Sequence, residues 1–304
     1  MAMRLITKEC EPTLTDQQVI QFCRDGYMEL PSAVSKDITD RALDYVAENP
    51  DYAVQPVPLL NESWFTDGLI FAPVVAGAVR SLLGAGFGLP WMLANHIGKC
   101  PDSKPLGWHV DGGNMHTWAL NYLQVFCLMQ DTTEEMGPTE VLPGSHFILG
   151  QSALVTHYGA IRGAKKCVGP VGTVFLTCYP IWHRRSKATA TGTTRHLFKY
   201  NYVRNSPPTR DWIIEPDFNP GRDTKAFSHL QTGATMLRRN KLDNYDAAHM
   251  YLWLCGRQEE MRYVGGMAWP MLDDMLDGQA EEVYGAPPSL STTPDAWRPE
   301  APLI

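Results

Sequence analysis

Arg195-His-Leu-Phe-Lys-Tyr-Asn-Tyr-Val203 is the stretch that decides the fold. Successive side chains of a strand point to opposite faces. Arg195, Leu197, Lys199, Asn201 and Val203 therefore share one face, and His196, Phe198, Tyr200 and Tyr202 share the other. The aromatic face is suited to packing on helices, and the partly polar face to lining a cavity, which Lys199 and Asn201 could then reach; the inverted assignment of the two faces is the alternative. Upstream, residues 91–99, 108–110, 120–130, 139–142, 166–168, 172–179 and 194–203 are short and strand-like, and Gly or Pro clusters separate most of them. Such a series after a helical beginning predicts an α+β chain whose β part is a jelly roll or barrel.

The helical beginning is legible from local signals. Thr15-Asp-Gln-Gln18 is a capping box, Val19, Phe22 and Cys23 follow at helical spacing, and Gly26 is a stop. Residues 27–31 then form a short strand. A second helix starts at Ser35 and buries Ile38, Ala42, Tyr45 and Val46. Residues 50–67 read as an irregular loop with exposed Trp64 and Phe65, either a lid or a plain surface excursion. Pro73 begins a third helix with Val74, Val75, Val79, Leu82 and Leu83, ending at Gly84. After residue 205, residues 247–254 predict a buried helix or strand. Residues 270–282 predict a helix with Met271, Leu272, Met275 and Leu276 on one side. The proline-rich last twenty residues are expected to be extended or partly disordered. No period of 20–50 residues repeats. The whole is read as one domain, 1–304: a helical part at 14–90, a β core at 91–205 and an extension at 206–304.

Composition narrows the function classes. The 304 residues are 44% hydrophobic and 19% charged, with net charge −7. Nothing forms a basic stripe, which argues against nucleic acid or an anionic membrane as partner. No run of eighteen apolar residues appears, and residues 1–16 lack a signal-peptide core. The seven cysteines are scattered and odd in number, which fits reduced thiols and a cytoplasmic location. The terminal Ala-Pro-Leu-Ile is not a peroxisomal address.

The chemistry starts at Leu106-Gly-Trp-His-Val-Asp-Gly-Gly113. On extended backbone His109 and Asp111 share one face, and both can ligate a divalent metal. They make two-thirds of a 2-His-1-carboxylate triad, which leaves open positions on Fe(II). With nine histidines in the chain, a His-x-Asp pair can also arise by chance. His183, in Ile-Trp-His-Arg-Arg just after the apolar strand 172–179, is placed at a strand end on the barrel rim, where it can meet a metal held by another strand. An ordinary rim histidine is the alternative. Arg195 presents a planar fork for a carboxylate, or else pairs with an ordinary Asp or Glu; Arg184 or Arg185 could instead hold an anion. His146 ends a Pro-Gly-Ser-His turn, where a histidine commonly bonds backbone. Trp108, Asn114, His116 and Trp118 flank the His-x-Asp pair and, with Asn201, are candidates for the substrate pocket, though each also has a purely structural reading.

His109-x-Asp111, His183 and Arg195 together resemble the binding set of the phytanoyl-CoA dioxygenase (PhyH)-like family. Gln21-Phe-Cys-Arg-Asp-Gly-Tyr27 resembles its opening helix and strand. Asp131-Thr-Thr-Glu-Glu-Met-Gly-Pro-Thr-Glu-Val-Leu-Pro-Gly-Ser-His146 resembles its most recognisable segment, and Gly172-Thr-Val-Phe-Leu176 the strand leading to its distal histidine. The resemblance covers residues 14–203. It implies a double-stranded β-helix (jelly-roll, cupin-like) core with flanking helices and a C-terminal helical extension. It further implies Fe(II) held by His109, Asp111 and His183, with 2-oxoglutarate and O2 as co-substrates. Arg195 would pair with the distal carboxylate of 2-oxoglutarate, helped by Thr191. Phe126 would lie beside the co-substrate, with Thr139 and Asn95 in the same shell. The chain departs from the family in a His-to-Arg spacing one residue longer, in Arg185 where a small residue is usual, and in Ala188 or Thr189 near the place of a common Asn.

The expected activity is that of a dioxygenase, with hydroxylation of a hydrophobic or ring-containing small molecule, such as a natural-product intermediate, as the default outcome. The aromatic flank of Trp64, Phe65, Trp108, Trp118 and Phe126 points that way. Halogenation is disfavoured, because Asp111 fills the position a halide would need. The extension is expected to close over the mouth or to form a homodimer contact. Two other classes stand beside this one: a zinc-dependent jelly-roll hydrolase or isomerase using the same three ligands, and a silent binding protein on the same scaffold.

Overall fold

Local chemistry fixes the first elements. In the computed structural model, helix α1 (Asp16–Asp25) opens on the reciprocal bonds between Thr15 and Gln18 and closes on Gly26 at φ 72°. A Cβ at Gly26 would lie 2.2 Å from Nδ1 of His146, so the position needs glycine twice over. Strand β1 (Tyr27–Leu30) follows, then helix α2 (Lys36–Glu48), whose buried residues are Thr39, Ala42 and Val46. Ile38 and Tyr45 pack against the core from half-buried positions.

The structure describes residues 9–111, 117–148, 157–216, 218, 246–258, 263–264 and 267–268. Among them, the stretch 50–67 differs from the expected loop. It contains two 3-10 turns, Pro50–Tyr52 and Val57–Asn61, and a short helix α3 (Ser63–Phe65) that runs into a π turn, Thr66–Ile70. Phe65 is fully buried and its ring lies 6.2 Å from that of Phe198, while Trp64 is half-buried with the Arg41 guanidinium 4.0 Å over its ring. Burying an aromatic side chain of this size stabilises by about 2–3 kcal/mol, so this stretch belongs to the core. Helix α4 (Pro73–Leu83) runs as expected, except that Val74 is exposed on its outer side.

The β part is a double-stranded β-helix. Strands β2 (Ala94–Asn95), β4 (Tyr122–Leu128), β7 (Val174–Cys178) and β10 (Leu197–Val203) join β1 in a five-stranded sheet of order β1-β7-β4-β10-β2. Strands β5 (Thr139–Val141), β6 (Lys165–Lys166) and β8 (His183–Arg185) form a second sheet of order β6-β5-β8. Strands β3 (Gly98–Cys100) and β9 (Thr193–Arg195) pair with each other.

Two expected strands, 91–99 and 194–203, each divide in two. The halves β2 and β10 lie in the large sheet, and the halves β3 and β9 lie outside it. The bend falls at His96 and Ile97 on one strand and at His196 on the other. A corner where paired strands change sheets accounts for it, and the His96 N–H still donates to Leu197 O at 2.8 Å through the bend. The two faces of β10 sort as the alternation predicts. Phe198, Tyr200 and Tyr202 pack with the helices, and Leu197 packs between the sheets with Phe126, Val141, Phe175 and Ile181.

Of the extension, residues 246–254 are helical and bury Ala247, Ala248, Tyr251 and Leu252 against the core. The expected helix at 270–282 lies outside the described residues. A buried carboxylate ties this region to α1: Asp16 accepts from Arg210 Nε at 2.8 Å, Trp212 Nε1 at 2.6 Å, the Glu215 N–H at 2.7 Å and the Tyr251 hydroxyl at 2.8 Å. Among the described residues no single helix is long and apolar enough to cross a membrane.

Candidate metal centre

Residues 106–109 run antiparallel to β8. The Leu106 N–H donates to Arg185 O at 3.0 Å, and His109 and His183 exchange both backbone bonds at 3.0 and 2.9 Å. His109 and His183 are thus direct cross-strand partners, with ring centroids 4.3 Å apart. His183 lies after the apolar strand and at a strand end, as the first residue of β8 in the second sheet.

The tautomers follow from the carbonyls. Nδ1 of His109 lies 2.9 Å from Gly107 O, and Nδ1 of His183 lies 3.0 Å from Ile181 O. A carbonyl only accepts, so each Nδ1 carries the proton and each Nε2 keeps its lone pair for a metal. Asp111 Oδ2 lies 3.6 Å from His183 Nε2, and one ligand atom from each of the three residues falls within 4.8 Å of the others. Gln124 Nε2 and Lys199 Nζ both donate to Asp111 Oδ2. Burial, and then the Lys199 charge, push the His183 imidazole down to about 3. Burial works to raise the Asp111 carboxyl, but Lys199, His183 and Gln124 outweigh it and hold it below its ordinary value. At neutral pH the set therefore offers a neutral imidazole at His183 and a carboxylate at Asp111, the forms that bind a divalent cation.

Arg195 ends β9 and is only 1% exposed. Its Nε and Nη1 have no partner, and burial lowers its guanidinium to about 10. A buried guanidinium with two unpaired N–H groups is costly unless a carboxylate completes it. The three residues can thus hold a metal, and the open Arg195 guanidinium can accept an anion. Phe126 stands beside the metal set, its ring 5.4 Å from that of His183. Thr139 is buried on β5 and shares a face with Val141, the cross-strand partner of His183. Thr191 is exposed in the turn before β9. Asn95 is a correction. It pairs with Phe198, so its side chain is on the helix-facing side, where it donates to Ala53 O at 2.8 Å.

A cavity of about 320 Å³ opens beside Asp111, walled by Asn201, Tyr122, Tyr179, Trp91 and Met250. Trp108 is not on this wall: it is fully buried and its Nε1 donates to Gly159 O at 2.8 Å. Trp118 is not on it either. Its indole donates to Asp246 Oδ1 at 2.8 Å and stacks on His249 at 3.9 Å, which seats the 246–254 helix. Asn114 and His116 lie outside the described residues. His146 is buried with Nε2 3.0 Å from Cys23 O; it lines the same cavity as Asp111 but is not in the metal-ligand group. Sequence reasoning missed Gln124, Tyr122, Tyr179, Trp91 and Met250. The signal for Gln124 was available: it is an amide in the apolar strand Tyr122–Leu128, at the same parity as Phe126.

Residues 47–156 match the family model described as phytanoyl-CoA dioxygenase (PhyH). That span includes His109 and Asp111 and ends before His183 and Arg195. No curated protein matches the sequence. Among solved structures, the chain is similar to the nickel complex of ThoJ, a non-heme monooxygenase. The identity is 18% and the TM-score 0.50, with 79% of this chain and 99% of that one covered. It is also similar to EctD from S. alaskensis with bound Fe, at 19% identity and TM-score 0.50, covering 67% of this chain and 81% of that one. At such identities the shared feature is the fold.

Proposed function

We propose that this chain, PhyH-like over residues 47–156, is a non-haem Fe(II)- and 2-oxoglutarate-dependent oxygenase acting on a small molecule. The observation that carries the reading is the unpaired, buried Arg195 guanidinium in the same sandwich as the His109–Asp111–His183 set. A zinc hydrolase or isomerase would need the three ligands but has no use for a desolvated cation left open for a carboxylate. That the ThoJ structure holds nickel and the EctD structure iron supports a metal in a chain of this fold.

His109, Asp111 and His183 would hold the metal, and Arg195 the distal carboxylate of 2-oxoglutarate. When bound, the iron would activate O2, with 2-oxoglutarate as co-reductant, and so supply the oxidant for a substrate C–H bond. This chain's own residues orient and exclude. The Gly107 and Ile181 carbonyls lock the two imidazoles in one tautomer. Gln124 and Lys199 fix the Asp111 carboxylate. Phe126, Leu197 and Ile181 keep water from the space between the sheets. Hydroxylation of a molecule with an apolar or ring-shaped body is the outcome that fits a cavity walled by Trp91, Tyr122, Tyr179 and Met250. Met250 comes from the extension, which we read as part of the substrate wall.

The test is conversion of 2-oxoglutarate to succinate by the Fe(II)-loaded protein. We expect slow release without substrate that needs both iron and O2 and disappears in His183→Ala. Product formation with Zn(II) and no oxygen requirement would favour the hydrolase reading instead.

A further inference from the structure

We propose that the substrate is an organic acid and that Lys199 binds its carboxylate, an inference that rests on the oxygenase reading above. The argument is one of charge in a confined space. Lys199 is on the cavity-facing side of β10, with its side chain only 16% exposed and its ammonium 5.8 Å over the Phe126 ring. Among the described residues its anionic partner is Asp111, which also lines the cavity.

Among the described residues, the ionised groups that act on His183 and His96 are Lys199, Arg195, Arg185 and Asp111. Asp111 is the one carboxylate among these groups. Arg185 donates from Nε and Nη2 to Lys104 O at 3.0 and 2.8 Å in exposed bonds, where water screens its charge. A divalent metal takes the charge of Asp111, and a dicarboxylate co-substrate balances the remaining charge of the metal together with Arg195. One positive charge is then left over, and it is that of Lys199. An ammonium whose carboxylate is shared with a metal is under-compensated in a largely desolvated wall, so the loaded site favours a ligand that brings a single negative charge to this point.

The neighbouring groups describe what stands beside that charge. Gln124 and Asn201 are direct cross-strand partners one step along from Lys199. Gln124 spends its N–H on Asp111, which leaves Oε1 as a buried acceptor with no partner. Asn201 bonds Tyr179 and leaves Oδ1 likewise. The acid that fits therefore carries an O–H or N–H donor near its carboxylate and an apolar body toward Trp91 and Tyr122. A cavity of about 320 Å³ is at the small end for ligand sites, which limits the body to a small one.

The experiment uses the full chain loaded with Ni(II) and 2-oxoglutarate, which does not turn over. Calorimetry measures the affinity of mandelate and of its neutral match, mandelamide, for the unmodified protein, Lys199→Met and Lys199→Arg. The expected result is at least a tenfold preference for the acid in the unmodified protein and in Lys199→Arg, and no preference in Lys199→Met. Equal affinity in the unmodified protein, binding of neither compound, or a preference that survives in Lys199→Met would overturn the proposal. A 2-oxoglutarate titration of each protein comes first. If the unmodified protein fails to bind 2-oxoglutarate, the oxygenase reading falls and this inference with it. If that binding is intact and the acid preference is missing, the inference alone falls.

Discussion

Replacing Arg195 by methionine should separate stability from function. Methionine keeps the length of the stem and removes two buried N–H groups, Nε and Nη1, that have no partner. Each unsatisfied buried donor costs about 1–3 kcal/mol. The space around Arg195 holds Cys100 and Cys167, which tolerate a thioether. Without 2-oxoglutarate, Arg195→Met should therefore be more stable than the unmodified protein, by about 2 kcal/mol. With 2-oxoglutarate the balance reverses. Losing one partner of a buried charge pair costs about 2–5 kcal/mol, which is roughly 30- to 5,000-fold in Kd. Urea unfolding of the metal-free proteins reads the first effect, and titration of 2-oxoglutarate into the Ni(II)-loaded proteins reads the second. If Arg195→Met unfolds more easily and binds 2-oxoglutarate as tightly as before, the reasoning fails at both ends.

Three further outcomes follow from the same structure. Asp16→Ala leaves the donors of Arg210, Trp212 and Tyr251 without their shared carboxylate and should cost about 3–5 kcal/mol in urea unfolding. A loss under 1 kcal/mol would contradict the network. Gly172→Ala places a Cβ 1.8 Å from Val34 O at a φ of +77°, so it should lower stability by at least ~2 kcal/mol, and an unchanged melting temperature would refute the close approach. For His183, burial first and Lys199 second hold the folded value at about 3 against an ordinary 6.5. Between those values the unfolded chain takes up a proton that the folded chain does not. The His183 contribution is therefore complete above pH 6.5 and is lost as pH falls toward 3. The metal-free protein should lose stability over that window more steeply than His183→Leu, and parallel profiles would count against a buried neutral imidazole.

What was legible in the sequence was what depends on near neighbours along the chain. The Thr15–Gln18 capping box and the Gly26 stop are local, and the alternation of β10 correctly sorted Phe198, Tyr200 and Tyr202 from Leu197, Lys199 and Asn201. What was not legible depends on partners far away. The bend at His196 exists because β10 and β9 pair with strands in different places, and periodicity carries no mark of a corner. Parity places a residue on a face but not at a depth. Trp108 therefore looked like a pocket residue until its indole was found bonded to Gly159. Asn95 looked like a co-substrate contact until its pairing with Phe198 put it on the other side of the sheet. Phe65 looked exposed because its stretch has no long helical period, yet three short turns bury it completely. Met250 itself could not be singled out, beyond the expectation that the extension closes over the mouth, because it reaches the cavity from 139 positions beyond Asp111 in the chain.

The central claim is that one site holds iron through His109, Asp111 and His183 and 2-oxoglutarate through Arg195. Anaerobic addition of Fe(II) and 2-oxoglutarate, followed by visible absorption, tests it most directly. The account predicts a weak metal-to-ligand band in the unmodified protein, no band in His183→Ala, and in Arg195→Met a band that appears only at much higher 2-oxoglutarate. No band in the unmodified protein, or the same band at the same 2-oxoglutarate concentration in all three, would contradict it.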